Sequence, residues 1–145
     1  MRRFTTPLVL VSAAFVAAGG YIHLREWLDT YRDVPSEAPG AFVVRVGFPL
    51  NAASSLLLAA ALVATLFAAR RLQPVVIASA FLFQAASLAV LIRTRTGTVL
   101  GWTEPSWTAG ASQTRAVEIA ALVCLGAAAL LSRADGRSSP VPSPT

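Results

Sequence analysis

Three ionisable residues in this chain fall inside or beside long apolar runs, His23, Arg45 and Glu118, and of these His23 and Glu118 could carry a proton. A charge within a membrane span costs about 2.5–3.5 kcal/mol on insertion scales, and such residues usually face the bundle interior or a cavity. Counting along the runs puts His23 near the end of the first, and Arg45 and Glu118 about one turn into the second and fourth. If the runs cross a bilayer in alternating directions, the three share one depth. The economical arrangement pairs Glu118 with Arg45, with His23 or Arg115 as further neighbours. Glu26 follows His23 at i+3 and can share its helix face. Plainer readings stand beside this one: Arg45 snorkelling to the interface, Arg115 and Glu118 as a surface i, i+3 pair, and His23 as a satisfied interfacial histidine.

Two further polar residues, Asn51 and Gln84, lie near the middle of the second and third runs. Pro49 precedes Asn51 and removes the hydrogen bond that its N–H would give the Arg45 carbonyl, which predicts a bend. A bend beside a buried amide can build a pocket; an Asn51–Gln84 amide contact between helices is the simpler use of both residues. No nucleophile accompanies the lone histidine, and no phosphate-binding glycine loop, metal-ligand motif or haem-attachment motif occurs. With one His and one Cys, bis-His haem and cysteine zinc sites are excluded within one chain. The residues name no cofactor.

The elements that must position these groups follow from hydropathy. The 145 residues are 55% hydrophobic and 13% charged, against roughly 25% charged in soluble domains. Four apolar segments, 7–26, 41–69, 74–92 and 115–132, approach the roughly 20 residues that cross a bilayer. The expected fold is a single all-α domain over 1–135, a four-transmembrane-helix bundle. Residues 136–145, rich in Ser and Pro, read as a disordered cytoplasmic tail.

Charge placement gives the expected orientation. With the N-terminus inside, the inner segments hold Arg2, Arg3, Arg70, Arg71, Arg133 and Arg137 against Asp135. The outer segments hold six arginines against six acids. The leading Arg2-Arg3 pair and the short Arg70-Arg71 turn then favour N-in/C-in. A cleaved signal peptide ending near Ala18 is the rival reading of the first run, and leaves the remaining sidedness unchanged. Every basic residue is Arg, which with the many Ala suggests a high-GC bacterial genome. The pI near 11.0 comes from short flanking clusters rather than a basic stripe, so nucleic acid is not an expected partner.

Beyond the first run, Leu24, Trp27, Leu28 and Tyr31 recur at i, i+3, i+4 and i+7, so that helix is expected to extend outside the membrane until Pro35 and Pro39-Gly40 end it. The 93–114 loop carries Gly101-Trp102-Thr103-Glu104-Pro105 and Trp107. All three Trp and both Tyr fall on the outer side. An aromatic belt normally marks both faces, so this loop and the 23–31 helix are expected to fold over the outer mouth. Small-residue stripes at Ala60, Ala64 and Ala68, and at Ala116, Ala120, Cys124, Ala128 and Ser132, suggest close helix approach.

The run Gly20-Tyr21-Ile22-His23-Leu24, with Trp27, Tyr31-Arg32 and Pro35 after it, resembles a pattern in small uncharacterised actinobacterial membrane proteins. Those also carry an L-N-A element in the second span, here Leu50-Asn51-Ala52, and a G-aromatic-x-E element before the last, here Gly101-Trp102-Thr103-Glu104, with an acidic residue early in that span, as at Glu118. The resemblance covers roughly residues 19–130 and implies a four-helix fold without an activity. The overall shape is also similar to DoxX-like proteins linked to quinone or sulfur redox chemistry, at fold level alone.

Taken together, the expected function is a non-enzymatic module of the bacterial inner membrane, multi-pass, with both termini cytoplasmic. It would bind a small molecule, lipid or quinone at an outer-leaflet polar site drawn from His23, Glu26, Tyr31, Arg45, Asn51, Gln84, Trp102, Glu104 and Glu118. The alternative is an accessory subunit of a redox or transport complex, partnered by another membrane protein or by copies of itself. A small enzyme or proton-coupled carrier using His23 and Glu118 is the third reading.

Overall fold

The computed structural model describes the backbone of residues 2–137 and the side chains of residues 5–134; the 138–145 part of the expected tail lies outside the described residues. Helix α1 (Arg2–Glu26) runs straight into a five-residue π turn, Trp27–Tyr31, closed by the Arg32 N–H donating to the Trp27 carbonyl at 2.9 Å. Then come α2 (Ala41–Arg45), α3 (Gly47–Phe67), a 3₁₀ turn at Arg70–Leu72, α4 (Gln73–Thr96) and α5 (Ala109–Arg137). Among the described residues the only β pairing is an isolated Val99–Trp102 bridge. Four helical stretches are long and apolar enough to cross a membrane: Thr5–Tyr31, Ala41–Phe67, Arg70–Thr96 and Ala109–Ala134.

The boundaries have local causes. Pro74 sits in the first turn of α4, where its missing N–H is not needed. The second span breaks at Val46, between α2 and α3, where the Arg45 carbonyl has lost the donor that Pro49 cannot supply. The fourth helix starts at Ala109, not near 115. The Thr108 hydroxyl accepts from the Ala111 N–H at 3.1 Å, and its carbonyl accepts from Ser112 at 3.0 Å, an N-cap that begins the helix earlier than hydropathy suggests.

Helix α1 packs on α3 and α5; α4 packs on α5 and, more loosely, on α3. The spans therefore form a ring in the order α1, α3, α4, α5, each antiparallel to its neighbours. One end of the ring carries the long connections 27–46 and 97–108; the other carries the short Arg70–Leu72 turn. The half near the short turn is closed and mostly apolar, built from Val9, Ala13 and Val16 of α1, Leu62 and Leu66 of α3, Ile77 and Ala80 of α4, and Ala121, Leu125 and Ala128 of α5, with the buried Ser12 and Thr65 hydroxyls bonded to the Leu8 and Leu62 carbonyls.

Two expected small-residue stripes are corrected. On α3 the buried positions are Ala52, Ser55, Ala59, Leu62, Thr65 and Leu66, and Ala60, Ala64 and Ala68 face outward. On α5 the buried face is Ala111, Thr114, Glu118, Ala121, Leu125 and Ala128; of the expected stripe Ala128 is buried and Ala116 exposed. Close approach depends instead on Gly20. A methyl there would stand 2.8 Å from the Ser55 side chain and 3.1 Å from the Ala52 carbonyl. Gly20→Leu is accordingly expected to push α1 off α3 and cost about 1–3 kcal/mol. Ala60→Leu, on the outward face, should leave stability within about 0.5 kcal/mol. Thermal unfolding of both variants in mild detergent, followed by circular dichroism, reads the contrast.

Candidate functional site

Each of the four spans contributes a polar side chain at one level of the bundle. His23 comes from the last turns of α1, Asn51 from the first turns of α3, Ser87 from α4 and Glu118 from α5. The Ser55 hydroxyl donates to Asn51 Oδ1 at 3.2 Å, and Asn51 Nδ2 donates to Ser87 Oγ at 2.7 Å. Ser87 Oγ in turn donates to Glu118 Oε1 at 2.5 Å. His23 Nε2 lies 3.4 Å from the same carboxylate oxygen and 3.5 Å from Ser87 Oγ. The donors thus converge on Glu118, which is 0% exposed. Burial at this level removes water as a competitor, so each hydrogen bond counts for more and each missing one costs more. Three buried polar atoms at this level have no protein partner: His23 Nδ1, Glu118 Oε2 and Gln84 Nε2.

The expected Glu118–Arg45 pairing does not occur. Arg45 ends α2, is exposed, and lies on the loop side of the break at Val46. On the loop before it, the Glu37 carboxyl is held below its ordinary range by its own backbone N–H and the Ser36 hydroxyl, with Arg45 adding a smaller attraction. Arg115 is turned away too, its guanidinium 4.5 Å from the centre of the Trp107 ring. Depth along each helix is as expected, but rotation about the helix axis assigns His23, rather than either arginine, to Glu118. The expected Asn51–Gln84 amide contact is likewise absent. Asn51 bonds Ser87 and Ser55, while Gln84 is buried in the interior near Gly19.

Beside this network lies a cavity of about 330 Å³. Its walls are Phe42, Val43, Val44 and Phe48 from α2 and α3, and Phe83, Val90 and Leu91 from α4, with Val99 and Leu100 above. His23, Asn51 and Ser87 form its polar floor; Tyr31, Thr94, Arg95 and Trp102 form its upper rim. Phe42, Val90 and Leu100 are exposed at its edge, so its mouth is apolar. It occupies the loosest of the helix junctions, between α3 and α4.

The π turn explains how Tyr31 joins His23. Eight residues of continuous α-helix would rotate the two about 80° apart, whereas one extra residue in the turn brings them to within about 20°. Both rings consequently pack on Phe48, with centroids 5.1 Å away for His23 and 4.7 Å for Tyr31. The Tyr31 hydroxyl donates to Glu104 Oε2 at 3.1 Å, and the Glu104 N–H donates to the Thr94 carbonyl at 3.0 Å. The lid expected from the aromatic distribution is therefore present. Val99 and Trp102 exchange backbone hydrogen bonds around Leu100 and Gly101, both at positive φ, the pattern of a tight I′ turn. This turn rests on Gly40, where a Cβ would run into the Trp102 backbone.

Of the expected site residues, His23, Tyr31, Asn51 and Trp102 line the cavity. Glu118 and Glu104 stand behind it, bonded to its lining. Glu26 packs against Gly110 in the first turn of α5, where the helix dipole favours a carboxylate. Gln84 is interior and Arg45 belongs to the loop face. Three polar lining residues, Ser87, Thr94 and Arg95, were missed. Ser87 reads as one more small residue in an apolar run, and Arg95 as an ordinary flanking arginine. Among the described residues no group of three His, Cys, Asp or Glu could hold a metal ion. No family model, curated protein or solved structure matches the chain.

The pairing of His23 with Glu118 sets up a double-mutant cycle. His23→Leu leaves Glu118 buried with Ser87 as its remaining side-chain donor, and is expected to destabilise the bundle by about 3 kcal/mol. His23→Leu combined with Glu118→Leu removes the stranded group and should be less destabilised than His23→Leu alone. Unfolding in mixed detergent micelles measures both; strict additivity would show that the two residues do not act as a pair.

Proposed function

We propose that this chain is a non-enzymatic membrane module that binds a small amphiphile, a lipid or quinone, in the cavity between α3 and α4. The observation carrying this reading is the cavity's construction: apolar walls, polar groups at floor and rim, and an apolar mouth at the bundle side. Binding sites for small molecules are typically concave and mostly apolar, with a few placed polar groups. A volume near 330 Å³ corresponds to roughly eleven waters at about 30 Å³ each. That accommodates a ring or a short length of one chain, with the remainder of the ligand left in the bilayer.

In this reading the long-loop end faces outward and both termini lie in the cytoplasm of a bacterium, in whose inner membrane the protein sits. Support comes from Arg70 and Arg71, exposed at the short-turn end, with Arg2, Arg3, Arg133 and Arg137 at the same end in sequence. Trp27, Trp102 and Trp107, with Tyr21 and Tyr31, gather at the opposite end. A second reading, an accessory subunit of a larger membrane complex, is favoured by one feature: the outward small-residue face of Ala60 and Ala64, bordered by Ala14 and Ala17 in a shallow groove between α1 and α3. Small faces of this kind suit close packing against another helix.

Gly47 offers a clean test. It lines the cavity, and a Cβ there would meet nothing within 4 Å. Gly47→Leu should fill the cavity without disturbing the fold. Native mass spectrometry of protein extracted from its own membranes in mild detergent is expected to show a bound lipid or quinone on the wild type. That species should be lost, by about tenfold in occupancy, from Gly47→Leu and retained by Ala60→Leu. Equal occupancy in all three would remove the cavity from the proposal.

A further inference from the structure

The floor and the rim of the cavity differ in what they still require. At the floor, Ser55, Asn51, Ser87 and Glu118 bond one another in a chain with His23 beside its end, and the atoms left unpaired there, Glu118 Oε2 and His23 Nδ1, belong to a group centred on an acid. At the rim, Arg95 is half-buried, and its Nε is enclosed without a hydrogen-bond partner. Its Nη1 donates to the Glu104 carbonyl at 2.9 Å and to Thr94 Oγ1 at 3.5 Å, both neutral acceptors. Among the described residues no carboxylate lies within 4 Å of it. The nearby Glu104 carboxylate is engaged by the Tyr31 and Ser106 hydroxyls at 3.1 Å each. The Trp107 ring, 5.7 Å from the guanidinium carbon, gives it a π face and no countercharge.

A guanidinium half-enclosed against apolar walls without an anion is a costly arrangement, and its planar fork is matched to carboxylate and phosphate oxygens. Its neighbours on this cavity are Val99, Leu100 and Trp102, beneath the tight turn. Building on the proposed amphiphile site, we infer that the occupant is an anionic amphiphile. Its carboxylate or phosphate headgroup is held by Arg95 at the rim, and its chain leaves through the apolar mouth past Phe42 and Val90. The polar floor lies about 12 Å away along α4, from the eight-residue separation of Ser87 and Arg95. It closes the inner end of the cavity and is not the headgroup site.

The test uses four defined probes on the full chain in neutral detergent, read by native mass spectrometry at equal concentrations: dodecanoate, dodecyl phosphate, dodecanol and a decyl-substituted benzoquinone. The expected result is occupancy by dodecanoate or dodecyl phosphate at least tenfold above the two neutral probes. That excess should disappear in Arg95→Gln and be largely kept in Arg95→Lys, which preserves the charge and shows that loss does not reflect unfolding. The two anionic arms distinguish a carboxylate source from a phosphate source. If dodecanol or the benzoquinone binds as well as the anions and is displaced by Gly47→Leu, the cavity reading stands and the anion assignment falls. If no probe is sensitive to Gly47→Leu, both fall.

Discussion

The structure depends on satisfying one buried carboxylate. Glu118 is enclosed in the bundle, and its Oε1 draws in Ser87 from α4 and His23 from α1, with Asn51 and Ser55 of α3 completing the chain. Between membrane-crossing helices neither lipid nor bulk water offers a replacement donor, so the partners must come from the bundle itself. All four spans are tied at one level as a result. Sliding any helix by one residue moves its side chain about 1.5 Å along the axis and about 100° around it, enough to break the link. Gly20 is part of the same constraint: it brings α1 against Ala52 and Ser55, placing His23 within reach of Glu118.

That tie divides the bundle along its length. On the short-turn side the helices pack through Val16, Leu62, Ile77 and Leu125, and the buried Ser12 and Thr65 hydroxyls there bond carbonyls of their own helices rather than a neighbouring helix. On the long-loop side the break at Val46 and the loose α3–α4 junction leave room that neighbouring side chains do not fill. The π turn in the first span and the tight turn at Leu100-Gly101 then bring Tyr31 and Trp102 over that room. Closed packing below and a roofed cavity above are two results of one arrangement. A polar crossbar that fixes four helices at one depth lets the helix ends above it diverge without loss of register.

Much of this was legible in the sequence, and the limits have a common physical cause. Run lengths established four spans because hydropathy over about 20 residues is a strong signal. Counting residues from each loop put His23 and Glu118 at one depth because rise per residue is nearly constant. Rotation about each axis was not legible. Arg45 looked the better partner for Glu118 by charge, yet it lies on the loop side of the break it adjoins, exposed. In helices so rich in Ala, small residues lie on every face, so the Ala60, Ala64, Ala68 stripe could not be told from the buried one at Ala52, Ser55 and Ala59. Thr108 was a readable N-cap, obscured because the helix it starts carries polar residues for its first turns. Ser87 gave no signal, since one hydroxyl in an apolar helix ordinarily bonds its own backbone.

Arg45 and Arg95 show why charge at a helix end cannot be read as one kind of feature. Each closes a helix near the same face, and each has a long stem able to carry its head to water. Arg45 has that path open and a loop carboxylate nearby, so its charge is solvated and attracted outward. Arg95 has the Leu100-Gly101 turn above it, Thr94 and the Glu104 carbonyl beside it, and apolar side chains across the cavity. Its neighbours accept from Nη1, leave Nε unpaired and supply no negative charge within salt-bridge distance. The loop that roofs the cavity therefore also keeps the one cation on its wall from snorkelling free. A guanidinium held in this way attracts an anion that brings its own apolar chain, because the chain replaces the lipid contact that the mouth of the cavity otherwise makes.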